Sequence, residues 1–175
     1  VNFSYGKRCL CYVYFCFKCI IFKIKVILFT NNKVTNIHFQ PYDLNIFTKA
    51  GKRFVFDVVR KKDVPFTPEE LVRQTILHYL IYTQKISPSL IAVERALTVN
   101  DIQKRFDIVV FNRQGLPLIL IECKSPSVTI NIDTFLQGGN YNTKLGAKLI
   151  WLSNGKSNFV FETETLQVIG EMPEL

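Results

Sequence analysis

Leu118-Ile119-Leu120-Ile121 is apolar at every position and runs directly into Glu122-Cys123-Lys124. A short run with no polar break predicts a strand buried on both faces. Alternation along that strand puts Glu122 and Lys124 on one face and Cys123 on the other. A carboxylate and an ammonium at the end of a buried strand are costly unless they pair or hold a metal.

The preceding segment sharpens this. Phe106–Phe111 reads as a strand, and Asn112-Arg113-Gln114-Gly115 as the turn that joins it to Leu118–Cys123. If Asn112 and Gly115 close a tight turn, paired residues sum to 227 and Asp107 lies opposite Leu120. Asp107 then shares a face with Glu122 and Lys124; a one-residue bulge would flip that parity. Two carboxylates can hold a hard divalent ion such as Mg2+ against a phosphate. A nearby lysine can orient the attacking water or offset developing charge. An isolated E-x-K is ordinarily a solvated strand face, so the weight rests on the whole set of motifs.

Other elements follow from local pattern. Residues 44–48 and 53–57 alternate around Lys49-Ala50-Gly51-Lys52 and predict a β-hairpin. Arg60-Lys61-Lys62 reads as a loop with a possible phosphate contact. Thr67-Pro68-Glu69-Glu70 is a helix start, with a capping Thr, Pro at the first position and Glu three residues after the cap. The apolar spacing from Leu71 to Ile81 carries that helix to about Gln84. Ile91–Thr98, Lys148–Leu152 and Asn158–Glu162 predict strands, and a second helix is expected from about Asn131–Asp133 to Lys144. This order implies an α/β fold, a mixed central sheet flanked by helices.

Residues 1–35 differ from the rest. They hold six of the 22 Lys and Arg, none of the 14 acids, and four of the five cysteines. The net charge of +8 therefore falls to about +2 over residues 36–175, too little to argue for nucleic acid by itself. Lys18, Lys23 and Lys25 interrupt the apolar run and disfavour a membrane span. Signal-peptide order is missing, and C-x-C-x4-C-x2-C lacks a second half for a zinc site. The segment reads best as translated upstream sequence or a misplaced start, so the domain is taken as 36–175. One cysteine in that domain fits a reducing, cytoplasmic compartment.

The motifs together resemble a known family, the N-terminal nuclease domain of the restriction subunit of type I restriction enzymes, in its short stand-alone form. The matching stretches are Thr67-Pro68-Glu69-Glu70 with Val72-Arg73-Gln74, Arg105-Phe106-Asp107-Ile108-Val109-Val110, Glu122-Cys123-Lys124-Ser125-Pro126, Gln137 with Tyr141-Asn142, and Ser153-Asn154-Gly155. They run in the family's order over residues 37–175. The resemblance implies a restriction-endonuclease-like PD-(D/E)XK core and a Mg2+- or Mn2+-dependent DNA endonuclease. It implies Asp107 and Glu122 as metal ligands and Lys124 as the catalytic lysine. Gln137 and Tyr141, at helical i,i+4 spacing, resemble the family's Q-x-x-x-Y pair, with Gln137 near the metal and Tyr141 near DNA. A helix carboxylate, Glu70 or Glu69, is expected to join the site, although Glu70 also suits the capping box. Lys104, Arg105 and Arg73 are expected at the DNA. Partners would be DNA and other restriction-modification subunits, with no small-molecule cofactor and no membrane.

Two features favour an alternative, a DNA-binding accessory module without activity. Gly138-Gly139 follow Gln137 where better helix formers are expected, and the domain's net charge is small. No phosphate-binding loop is present, since Gly155-Lys156-Ser157 lacks a Gly five residues earlier. With only His38 and His78, a Ser-His-Asp or zinc-histidine site is disfavoured.

Overall fold

In a computed structural model of the chain the described residues are 34–99, 102–131, 142, 145–165 and 167–175; for 97–99 and 102–104 the backbone alone is described. Strands β1 (Ile46–Lys49) and β2 (Lys52–Asp57) form the expected hairpin. Its turn residues Ala50 and Gly51 both have positive φ, 51° and 73°, which matches the twist of a two-residue hairpin. The expected loop at Arg60–Lys62 is instead a tight turn into β3 (Lys62–Pro65), antiparallel to β2. Asp57 builds that turn, its Oδ1 accepting the backbone N–H of Val59 at 2.9 Å and of Arg60 at 2.6 Å.

Helix α1 (Pro68–His78) starts where the sequence predicts. Thr67 Oγ1 accepts the N–H of Glu70 at 3.0 Å, and Pro68 opens the helix. Glu70 turns its carboxylate toward Arg60, Arg73 and Gln74 rather than back onto Thr67. One π-helical turn, Tyr79–Thr83, extends the helix to a cap at Gln84.

The predicted strand Ile91–Thr98 is broken. It divides into β4 (Ile91–Val93) and β5 (Ala96–Val99), with Glu94 between them at φ 49°. That left-handed residue turns the chain out of the sheet. β5 pairs with β6 (Ile102–Arg105) as a separate ribbon, and the chain re-enters the sheet at β7 (Ile108–Phe111). Apolar content does not reveal such a break, because both halves are equally strand-like.

β7, β8 (Pro117–Cys123), β9 (Leu149–Ser153) and β10 (Asn158–Glu162) complete a five-stranded sheet in the order β10-β9-β8-β7-β4. β8 and β9 are parallel, and every other neighbouring pair is antiparallel. The mixed sheet of an α/β fold is therefore present. Central β8 is buried on both faces: Ile119 and Ile121 join the core under α1 with Val72, Ile76, Leu77 and Trp151, while Leu120 packs with Val109, Phe106 and Ala147. Most of the expected second helix, 131–144, lies outside the described residues. Thr35 is bound into the sheet edge: its Oγ1 donates to Ile169 O and accepts from Val160 N–H, both at 2.8 Å.

The β7–β8 register differs from the expected one by two compensating steps. Asn112 N–H bonds Leu116 O, so the loop closes one residue later than predicted. A bulge between Val110 and Phe111 then shifts the pairing once more, giving Ile108↔Ile121 and Val109↔Leu120. Each step alone would flip the faces; together they restore them. Extrapolated by one residue, Asp107 lies across from Glu122 rather than Leu120.

Candidate active site

Asp107 and Glu122 sit at adjacent ends of β7 and β8, where the sheet meets the first turns of α1. Asp107 is held at both oxygens. Its Oδ1 accepts from Arg73 Nη2 at 2.7 Å, and its Oδ2 accepts from the backbone N–H of Cys123 at 2.7 Å. Glu122 is buried, 4% exposed, and its Oε1 accepts from Lys124 Nζ at 2.9 Å. Asp107 stands in a bend just before β7, and its bond to the Cys123 N–H together with the Lys124–Glu122 bond brings the three residues expected to act together to one place.

The electrostatics reflect crowding of like charge. Burial first, and the neighbouring Asp107 second, push the Glu122 carboxyl up to about 7 against the pull of Lys124. Burial alone would lower the Lys124 ammonium; its hydrogen bond and charge pairing with Glu122 outweigh that and raise it. Burial and the Asp107 charge push the Cys123 thiol well up, so Cys123 behaves as a neutral core residue.

Behind this pair lies an ion-pair network that the sequence did not announce. Arg60 Nε meets Asp57 at 2.7 Å, its Nη2 meets Glu70 at 3.0 Å, and its Nη1 meets Glu94. Arg73 meets Glu70, Glu69 at 3.3 Å, Glu94 at 3.6 Å and Asp107. Gln74 Nε2 donates to Asp57 and Glu70 at 2.8 and 2.9 Å. Burial would raise the Asp57 carboxyl, but backbone and side-chain bonds from Arg60 and the bond from Gln74 hold it below its ordinary value. Among the described residues, the Arg60–Arg73–Arg105 ion pairs and the separate Lys124–Glu122 pair involve six carboxylates and four cations. Acids thus outnumber cations among these paired groups.

Several expected roles change. Arg73 is 4% exposed and its guanidinium is taken up by carboxylates, so it does not face DNA as predicted but braces Asp107. Glu70, expected beside the metal, is 5% exposed and bound by Arg60, Arg73 and Gln74. The α1 carboxylate whose charge reaches Glu122 and Lys124 is Glu69, whose side chain is 46% exposed. Arg60 lies in the turn before β3, part-buried, and bridges Asp57, Glu70 and Glu94. Arg105 is exposed and pairs with Glu94 at 3.1 Å, so it remains open to a ligand. Gln137, Tyr141 and the Lys104 side chain lie outside the described residues. Among the described residues no three His, Cys, Asp or Glu side chains gather as a metal cluster; Asp107 and Glu122 are a pair.

Glu94 carried a usable signal. It follows the buried run Ile91-Ala92-Val93, as Glu122 follows Leu118–Ile121, so the same strand-end reasoning applies to it. The helix positions Glu70, Arg73 and Gln74, spaced i, i+3, i+4, likewise mark one polar strip facing inward.

A family model described as the type I restriction enzyme R protein N terminus matches residues 68–174, more than half of the chain. The chain belongs to that family. The matched range contains Asp107, Glu122 and Lys124 together with Arg73 and Glu94. The fragment structure of a protein assigned as an HsdR subunit of a type I restriction enzyme from Vibrio vulnificus YJ016 is similar at 22% identity, with a TM-score of 0.38. That similarity covers 47% of this chain and 18% of the other, so this R-protein N-terminal chain spans less than a fifth of that relative. No curated protein matches it. Among the described residues, no helix is long and apolar enough to cross a membrane.

Proposed function

We propose that this chain is a metal-dependent DNA endonuclease module of the PD-(D/E)XK kind, working in the cytoplasm within a restriction-modification system. The observation that supports it most is the convergence of Asp107, Glu122 and Lys124 at one end of β7 and β8, with Glu122 pushed up to about 7 by burial and by Asp107.

The residues fit a divalent ion. Two carboxylates offer hard oxygen donors, and such ions are commonly held by one or two carboxylates plus substrate phosphates. The excess of acids over cations among the surrounding paired groups has the matching sign. Mg2+ or Mn2+ held by Asp107 and Glu122 would polarise the phosphodiester and make bound water a better nucleophile.

The chain's own groups do the rest. Lys124 is a donor only, and its side chain, 20% exposed, is the most open of the three. It can orient the attacking water and offset charge on the phosphoryl oxygens. The Cys123 N–H and Arg73 fix the Asp107 carboxylate, so no reorganisation is needed when phosphate arrives. Arg105, at the rim, is placed to meet the DNA backbone. Gln137, Tyr141 and Lys104 keep their proposed roles near the metal and the DNA, and other restriction-modification subunits remain the proposed partners.

The test is cleavage of supercoiled plasmid and single-stranded DNA by the full chain with Mg2+ or Mn2+, beside Lys124→Ala. Metal-dependent cutting that drops at least a hundredfold in the variant supports the reading. Equal cutting by both proteins removes Lys124 from the chemistry, and DNA binding without cutting under any condition favours the accessory-module alternative.

A further inference from the structure

We propose that Arg73 and Arg60 form a two-arginine brace that sets the orientation of Asp107 toward the metal, Arg73 acting directly and Arg60 through Glu70 and Glu94. This rests on the metal-site reading above and goes beyond it, because neither arginine touches the reacting atoms. Both are positioning residues.

Asp107 has two donors of different kinds. The Cys123 N–H on Oδ2 belongs to the sheet and moves only with β8. The Arg73 Nη2 on Oδ1 belongs to α1 and comes from across the core edge. Two donors on two oxygens fix the plane of the carboxylate, while each oxygen keeps a further lone pair for another partner. The orientation of Asp107 is therefore only as good as the placement of Arg73.

Arg73 in turn is held by carboxylates on three sides. Glu70 and Glu69 come from its own helix, and Glu94 comes from the left-handed kink that ends β4. Arg60 ties Glu70 and Glu94 to each other and to Asp57. One chain of contacts thus links the β2–β3 turn, α1 and the β4 kink to the metal ligand. A planar fork that binds several carboxylates at once is a property of arginine that lysine lacks. Outer contacts of this type commonly change metal affinity by about 10- to 100-fold when altered.

The experiment is a Mn2+ titration of the full chain, followed by calorimetry or by the electron paramagnetic resonance of free Mn2+. The unsubstituted chain is compared with Arg73→Lys, Arg60→Lys and Asp107→Asn. Lysine keeps the positive charge, so a shift reports geometry rather than field. Misfolded protein lowers the number of sites without moving the midpoint; lost positioning moves the midpoint at constant site number. We expect one site in the unsubstituted chain, about tenfold weaker binding in Arg73→Lys, about threefold weaker binding in Arg60→Lys, and none in Asp107→Asn. If Arg73→Lys does not fold, the midpoint of Arg60→Lys, which is farther from the site, decides. Midpoints within 1.5-fold of the unsubstituted chain in the folded variants would overturn the brace while leaving the metal site standing. No binding by the unsubstituted chain itself would overturn the metal reading and the brace together.

Discussion

Asp57 and Glu122 are two carboxylates at similar depth, 0% and 4% exposed, with opposite responses to burial. Asp57 is held below its ordinary pKa and Glu122 is pushed up to about 7. Desolvation opposes the charge in both. The difference lies in the company each keeps. Asp57 accepts from two backbone N–H groups, Arg60 Nε and Gln74, so its charge is fully answered. Glu122 has Lys124 beside it but also Asp107 across the strand pair. A buried acid surrounded by donors is part of the frame, while one placed beside a second acid is set up for a cation.

Substitutions can break that contrast. The largest effect is expected at the site: Asp107→Ala should lower metal-dependent cleavage at least a hundredfold in a plasmid assay, with the circular dichroism spectrum unchanged. In the frame, Asp57→Ala should cost about 3 kcal/mol in urea denaturation, because it leaves buried donors and Arg60 without their main acceptor. That loss has a pH sign. A lowered carboxylate contributes stability above its unfolded value near 3.9, and the contribution disappears as acid reaches the folded pKa. The gap between Asp57→Ala and the unsubstituted chain should therefore close in acid.

Glu122 should show the reverse slope. Its raised pKa means that the protonated form favours the fold, so its contribution is full below about 4.3 and is lost as pH rises through about 7. Without metal, stability of the unsubstituted chain relative to Glu122→Gln should fall between those limits in a denaturation series. A flat difference would mean that burial and Asp107 together do not raise the Glu122 carboxyl. The smallest effect belongs to Arg105, whose side chain is 65% exposed. Arg105→Ala should change stability by less than about 0.5 kcal/mol, while weakening DNA binding and lowering its salt slope by about one ion.

The contrast also explains what could be read from the sequence. The buried strand Leu118–Ile121 and its terminal Glu122 and Lys124 were legible because periodicity and strand alternation suffice. The cap at Thr67 and the Ala50-Gly51 hairpin were legible because turn and cap chemistry is local. The β7–β8 register was not, since the longer loop and the bulge each depend on packing that periodicity does not encode. Nor was the role of Arg60 and Arg73. A charged residue in a polar-looking turn or on a helix reads as solvated until acids from other segments, Glu70 and Glu94 for Arg60 and Glu94 and Asp107 for Arg73, are seen to meet it. Glu94 breaking a strand is a backbone event that its neighbours Val93 and Arg95 do not foretell.

The most direct measurement is anomalous diffraction from crystals of the chain soaked in Mn2+. A single strong peak bound by one oxygen each of Asp107 and Glu122, at about 2.1 Å, with none at Asp57, Glu70 or Glu94, is the predicted result. Manganese bound elsewhere in the acid network, with Asp107 and Glu122 left bare, would contradict the division between frame and site.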